Sequence, residues 1–124
     1  MKYDFDSAAR YFAARSAVTT GPHELSGALD RREPVVVVDV RLPSDFARSH
    51  VPGAINIPQA NLGERLSELP SERDASIVMV CGIGKFSKYT TLYLKSLGYR
   101  NVRSMKGGIN EWVRKGLPTE SGTA

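Results

Sequence analysis

The chain has 124 residues, of which 41% are hydrophobic and 24% charged. This composition is typical of one small globular domain and not of a disordered chain or one stabilised by disulfides. Its formal net charge is +4, but basic and acidic residues are interspersed, without the basic clusters that nucleic-acid binding requires. The start lacks a secretory signal and no stretch reaches the ~20 apolar residues of a membrane span, so we expect a cytoplasmic protein with no membrane or nucleic-acid partner.

Two helices are predicted at the start of the chain. Residues 6–17 carry apolar side chains at spacings of three and four, with polar residues available to cap the first turn. Gly21 and Pro22 interrupt this pattern. Pro22 suits the first position of a second, short helix that extends through Leu29.

Four short apolar segments predict strands. Residues 35–40 and 77–80 are nearly continuous β-branched or aliphatic runs, too short for helices and too apolar for half-exposed strands. Such runs are typical of strands buried on both faces of a parallel sheet. Residues 54–57 and 102–105 predict two shorter strands.

Helical patterns separate these strands. A short helical turn is predicted over residues 43–46, a helix over 61–69, a longer helix over 87–97 and a final one around Trp112. The apolar residues assigned to the core from the last two helices are Leu92, Leu97 and Trp112.

The alternation of strands and helices predicts an α/β fold with a mainly parallel central sheet flanked by helices, and with an extra N-terminal helix. We divide the chain into an N-terminal helical extension, residues 1–20, a core domain, residues 21–120, and a tail, residues 121–124. Ligands bind beyond the carboxyl ends of strands in open sheets of this kind. Cys81 and the segment from Asp39 to Arg41 both follow such strand ends.

Cys81 is the only cysteine, and it opens a loop with two glycines in its first four residues. Glycine permits tight curvature, so backbone N–H groups can turn toward one point and favour an anion there. The positive end of the following helix acts in the same direction, and so would Lys85 and Lys88 if they reach the loop. The loop therefore predicts a thiolate nucleophile. The alternative is a small buried cysteine with no reactivity.

The candidate substrate-binding residues surround this cysteine, and they are Arg41, Gly82, Ile83, Gly84, Lys85, Phe86, Ser87 and Lys88. Asp39, Asp45 and His50 are candidate supporting residues. For Arg41 we favour an ion pair with Asp45 or another carboxylate over a role in the cleft, and for His50 a hydrogen bond within the following turn over proton transfer. The sequence contains no cofactor motif and no metal-ligand spacing.

The chain resembles the rhodanese, or thiosulfate sulfurtransferase-like, family over about residues 18–120. Four segments carry the resemblance: Asp39-Val40-Arg41 with Asp45-Phe46, residues 50–58, the Cys81 loop, and Gly107-Gly108 with Trp112, residues 116–118 and Glu120. The resemblance implies a rhodanese-like fold in which Cys81 accepts sulfane sulfur as a persulfide. The implied partners are a small sulfur donor and an external thiol or cyanide acceptor, with a protein thiol as a further option.

One position departs from the family pattern. Many single-domain members read Cys-x-x-Gly-x-Arg-Ser, whereas this chain has Phe86 at the arginine position and Lys85 one residue earlier. Arginine binds an anion such as thiosulfate through two parallel hydrogen bonds, and lysine offers only a point charge. Phe86 therefore favours a larger or less charged donor. It also leaves open a low-turnover persulfide carrier or a sulfur-sensing interaction module, while the absence of a loop arginine disfavours phosphatase or arsenate chemistry.

Overall fold

The computed structural model describes residues 18–123, which form a five-stranded sheet between two layers of helices. The strands are β1 (Thr19–Thr20), β2 (Val36–Asp39), β3 (Ile55–Asn56), β4 (Ile77–Val80) and β5 (Val102–Met105). The α-helices are α1 (Pro22–Asp30), α2 (Pro43–Arg48), α3 (Phe86–Ser96) and α4 (Gly108–Arg114). The helix expected over residues 6–17 lies outside the described residues. Thr19 and Thr20, which we assigned to the N-terminal extension, form β1 and pair with β5, and the division of the chain at residue 20 stays a prediction.

The strand order is β1-β5-β4-β2-β3, and every pair within the sheet is parallel. β4 and β2 lie at the centre, and all four residues of β4 are buried. Asp39 pairs in register with Val80, so the residues that follow β2 and β4 emerge side by side. The predicted α/β class is confirmed, and the Cys81 loop and Arg41 lie at the same edge of the sheet.

The core has one layer on each face of the sheet. Val38 and Met79 face α3, while their neighbours Val37 and Val78 face α1, α2 and α4. This division follows from the alternation of side chains along each strand. Both faces of the central strands are covered, which is why their sequences are apolar runs and do not alternate.

The helix expected over residues 61–69 is wrong in type. Two 3₁₀ helices, Gln59–Glu64 and Leu66–Glu68, replace it and meet at Arg65. Gly63 weakens an α-helix here, and the Arg65 guanidinium donates a hydrogen bond to the Asn56 carbonyl at 3.1 Å. That bond draws the segment toward β3, and i→i+3 backbone bonds accommodate the tighter path.

The core face of α3 also differs from the prediction. Leu92 is 52% exposed and Leu97 is exposed, whereas Thr91 is buried and its hydroxyl donates to the Ser87 carbonyl at 2.7 Å. Because this bond satisfies the hydroxyl within the helix, a polar residue can face the sheet beside the buried Leu94, while Leu92 and Leu97 lie outward. The assignment of Trp112 to the core is correct. No helix within residues 18–123 is long and apolar enough to cross a membrane.

Candidate active site

Cys81 lies directly after β4, with 3% of its surface exposed. The loop curls back over the sulfur at Gly84, whose φ of +84° is a backbone conformation that favours glycine. As a result the Gly84 N–H donates to Sγ at 3.1 Å and the Ser87 N–H donates to it at 3.3 Å. The Ser87 amide belongs to the first turn of α3, where backbone N–H groups have no partner within the helix.

Two buried serine hydroxyls extend this site. Ser87 Oγ lies 3.3 Å from Cys81 Sγ and 2.6 Å from Ser104 Oγ on β5. Ser87 and Ser104 are both fully buried. With a thiolate at Cys81, the Ser87 hydroxyl can donate to the sulfur while it accepts a hydrogen bond from Ser104.

The start of α4 holds the other side of the loop. The Ile109 N–H donates to the Cys81 carbonyl at 2.8 Å, and the Asn110 N–H donates to the Gly82 carbonyl at 3.1 Å. Gly108 has a φ of +61°, and a Cβ at this position would lie 2.3 Å from the Cys81 carbonyl oxygen. Only glycine allows this approach, which brings the α4 amides within hydrogen-bond distance of the carbonyls of Cys81 and Gly82.

The rim of the loop is apolar and basic. Ile83 and Phe86 are exposed, as are the side chains of Lys85 and Lys88. The amide hydrogen bonds to Sγ come from Gly84 and Ser87, and Lys85 and Lys88 add positive charge to the same exposed segment. The backbone N–H groups around Sγ can stabilise a sulfur anion in a site that is largely closed to solvent.

Arg41 forms an ion pair with Asp39 and not with Asp45. Its Nη2 lies 2.8 Å from Asp39 Oδ2, its Nε lies 3.0 Å from Oδ1, and Nη2 also donates to the Ser49 carbonyl at 2.6 Å. The Asp39 side chain is fully buried. The expected structural pairing of Arg41 is therefore present, with a different carboxylate. Arg41 also lines a cleft of about 560 Å³ between α2 and α4.

Asp45 and His50 contact the scaffold around α2. Asp45 pairs with Arg48 on the same helix. His50 is buried, its Nδ1 lies 2.7 Å from the Phe46 carbonyl oxygen, and its ring stacks on Phe46 with centroids 3.7 Å apart. These contacts stabilise the turn after α2. Within residues 18–123 no group of three or more His, Cys, Asp or Glu side chains is placed to hold a metal ion.

Sequence reasoning missed three residues of the site. Ser104 is visible in the sequence only as a polar residue beside Arg103 in the short strand β5, and Gly108 entered only as a mark of family resemblance. Asn56 donates to the carbonyls of Asp39 and Arg41 at 3.0 and 2.9 Å, which fixes the segment beside the loop. A buried hydroxyl or amide at a strand end is the signal that points to such residues.

Comparisons with known proteins identify a family and similar chains. A family model described as Rhodanese-like domain matches residues 21–115. A sulfurtransferase of Allochromatium vinosum is 38% identical over 94 residues, which cover 76% of this chain and 86% of the relative. The thiosulfate sulfurtransferase GlpE of Pseudoalteromonas translucida is 35% identical over 81 residues, covering 65% and 75% of the two chains. The crystal structure of a rhodanese-related protein from Thermoplasma volcanium has a TM-score of 0.74 and 27% identity, covering 83% of this chain and 97% of that one.

Proposed function

The chain belongs to the rhodanese-like domain family, and we propose that it is a sulfurtransferase that carries sulfane sulfur as a persulfide on Cys81. The convergence of the Gly84 and Ser87 N–H groups and the Ser87 hydroxyl on Sγ carries this proposal. The two amide donors stabilise a sulfur anion more than a neutral thiol, and the Ser87 hydroxyl, which accepts from the thiol in this structure, can become a third donor once Sγ has lost its proton. The same donors favour the thiolate that reacts and the persulfide that forms.

The first step loads the sulfur. The Cys81 thiolate attacks the outer sulfur of a sulfane donor and forms an S–S bond at Sγ. The S–S bond of the donor breaks, and its electron pair leaves on the donor fragment, which is sulfite if the donor is thiosulfate. Negative charge moves from Sγ to the outer sulfur, and the amides of the loop from Gly82 to Ser87 stabilise it there.

The second step unloads the sulfur. Because Cys81 is the only cysteine of the chain, an internal disulfide cannot release it. An external thiolate or cyanide attacks the outer sulfur, and Cys81 leaves as the thiolate. The exposed ammonium groups of Lys85 and Lys88 offset the repulsion between an anionic acceptor and the persulfide. We propose a reducing compartment, the cytoplasm, as the setting, because the thiol stays free there.

Intact-mass measurement tests this proposal. Incubation with thiosulfate, a mercaptopyruvate-type donor or a low-molecular-weight persulfide adds about 32 Da, the mass of one persulfide sulfur. Cys81→Ser abolishes the gain, and a thiol acceptor or cyanide removes it from the wild type. A wild type that stays unmodified with all three donors refutes the proposal.

Phe86 favours a second candidate function, a persulfide carrier or sensor with low turnover. Its side chain is 53% exposed at the loop rim, where an arginine would bind a small dianion through two hydrogen bonds. Without that arginine the site has fewer hydrogen-bond donors with which to bind thiosulfate. A donor or acceptor bound mainly by apolar contact is consistent with this rim.

The variant Phe86→Arg separates the two candidates. If thiosulfate is a poor donor for the wild type, the arginine raises kcat/KM for thiosulfate and cyanide at least about tenfold, the value of one good bidentate pair. Phe86→Lys is the control, because it adds the charge without the paired donors. A wild type that already turns over thiosulfate rapidly excludes the low-turnover function.

A further inference from the structure

Three exposed aromatic residues extend from the Cys81 loop along α3. Phe86, Tyr89 and Tyr93 are 53%, 58% and 40% exposed and occur at spacings of three and four, so they share one side of the helix. We call them the aromatic stripe. At a rise of 1.5 Å per residue the stripe is about 10 Å long. Its first member borders the sulfur site.

The 3₁₀ helix Gln59–Glu64 borders the stripe at Tyr93. A Cβ placed on Gly63 would lie 3.5 Å from the Tyr93 hydroxyl, so the 3₁₀ helix Gln59–Glu64 approaches the far end of the stripe. Exposed aromatic patches of this kind mark protein interaction sites, since tyrosine and phenylalanine contribute large apolar areas with little loss of side-chain entropy. A small sulfur donor does not need a surface of this length.

The chain segment that carries the stripe is basic, and exposed Glu64 lies near its far end, next to Gly63 on the 3₁₀ helix. Although basic and acidic residues are interspersed over the whole chain, all 13 acidic residues lie outside residues 75–110, a segment with six basic residues. Lys85 and Lys88 are exposed next to Phe86 and Tyr89. This surface attracts an acidic partner and repels a second copy of itself. Residues 1–17 do not complement it either, with three basic and two acidic side chains.

We propose that the aromatic stripe and its lysines dock an acidic protein that accepts the sulfur through a cysteine on an apolar segment flanked by carboxylates. This inference rests on the proposed function for the transfer itself. The partner's thiolate attacks the outer sulfur of the persulfide, the new S–S bond forms on the partner, and Cys81 leaves as a thiolate. No electrons enter or leave the two proteins. Docking along α3 places the partner's thiol at the rim between Ile83 and Phe86.

Binding of a labelled peptide to the full, unloaded chain tests the docking separately from the sulfur chemistry. The probe is a 15-residue peptide with leucines, aspartates and a serine in place of the reactive cysteine. We expect it to bind at least about tenfold more tightly than matched peptides with lysine for aspartate or glycine for leucine, and to weaken as salt is added. Equal binding of the three peptides overturns the proposal.

Variants locate the binding surface. The double variant Tyr89→Ser/Tyr93→Ser lowers peptide affinity about tenfold, and so does Lys88→Glu. Val113→Ser is the matched control, because Val113 is 52% exposed on α4, which packs on the opposite face of the sheet. Thermal unfolding confirms that each variant is folded. Equal losses in the stripe variant and the control refute the assignment. A concentration-dependent dimer that the stripe substitutions dissolve also refutes it, in favour of self-association.

Transfer from the loaded protein then tests the role of docking. The cysteine forms of the peptides receive sulfur from persulfidated Cys81, and each rate is divided by the rate of the same peptide with a small-molecule persulfide. The corrected rate of the acidic peptide exceeds that of the lysine peptide at least about fivefold, and the stripe variant loses this advantage. Loaded protein that shows no such preference overturns the docking and leaves the proposed function intact.

Discussion

Ser104 acts on the reactive sulfur through another residue. Its hydroxyl lies 2.6 Å from Ser87 Oγ, which in turn lies 3.3 Å from the sulfur. A hydroxyl rotates freely unless a neighbour sets its direction. Ser104 therefore orients the Ser87 O–H toward Cys81 when the sulfur is anionic.

Ser104→Ala should slow persulfide formation about fivefold, which corresponds to the ~1 kcal/mol of a typical buried hydrogen bond. Stopped-flow loading followed by mass spectrometry measures the rate, and Ser104→Thr should restore most of it because the hydroxyl is kept. Ser96→Ala is the control, since the Ser96 hydroxyl is exposed and bonds to Tyr93. A loading rate that changes in neither Ser104→Ala nor Ser87→Ala would remove the hydroxyl pair from the mechanism.

At the scale of secondary-structure elements, the loop is held between two helix starts. The first turn of α3 supplies the Ser87 amide to the sulfur, and the first turn of α4 supplies the amides of Ile109 and Asn110 to loop carbonyls. Without the α4 amides, the carbonyls of Cys81 and Gly82 would lack these hydrogen-bond donors next to a sulfur anion. A Cβ at Gly108, the first residue of α4, would overlap the backbone of Cys81 and Gly82.

Gly108→Ala and Gly116→Ala form a matched pair. Both glycines have positive φ, +61° and +70°, but a Cβ at Gly108 overlaps the backbone of Cys81 while one at Gly116 has no atom within 4 Å. Gly116→Ala should cost about 1 kcal/mol of unfolding free energy from backbone strain alone. Gly108→Ala should cost about 3 kcal/mol and slow sulfur loading at least about tenfold, because the loop must move. Urea unfolding and loading rates check this, and equal effects of the two substitutions would contradict it.

At the scale of the whole molecule, residues after α4 return across the domain to α2. The Trp112 indole N–H donates to the Pro118 carbonyl at 2.8 Å, and His50 and Glu120 exchange two backbone hydrogen bonds. The Gly122 N–H donates to the Ala47 carbonyl at 2.7 Å. This segment connects α4 to α2, two elements remote in sequence, and these hydrogen bonds do not involve the Cys81 loop.

A chain that ends at residue 116 should therefore lose stability and keep its chemistry. The loss of these bonds should lower the free energy of unfolding by about 2–4 kcal/mol, at roughly 1 kcal/mol for each. The folded fraction should still gain one sulfur on Cys81. A chain that ends at residue 122 retains the hydrogen bonds and serves as the control. A truncated chain that is as stable as the full one would show that the segment contributes nothing.

Much of the fold and part of the site follow from local patterns. The central strands, the sheet class and α1 match their predictions, because short apolar runs and proline positions are properties of neighbouring residues. The type of the helix over residues 61–69 and the exposed side of α3 were wrong. Hydrogen bonds from Arg65 to β3 and from Thr91 within its own helix decided these two cases.

The sequence by itself determined which residue can react and how its loop begins, since one cysteine, two glycines and a following helix are contiguous in the chain. Only the tertiary structure decided which groups surround the sulfur. Ser104, the α4 amides and the choice of Asp39 as the partner of Arg41 depend on how the segments pack. Contacts between segments remote in sequence have no periodicity, so they are determined by register and packing in the folded chain.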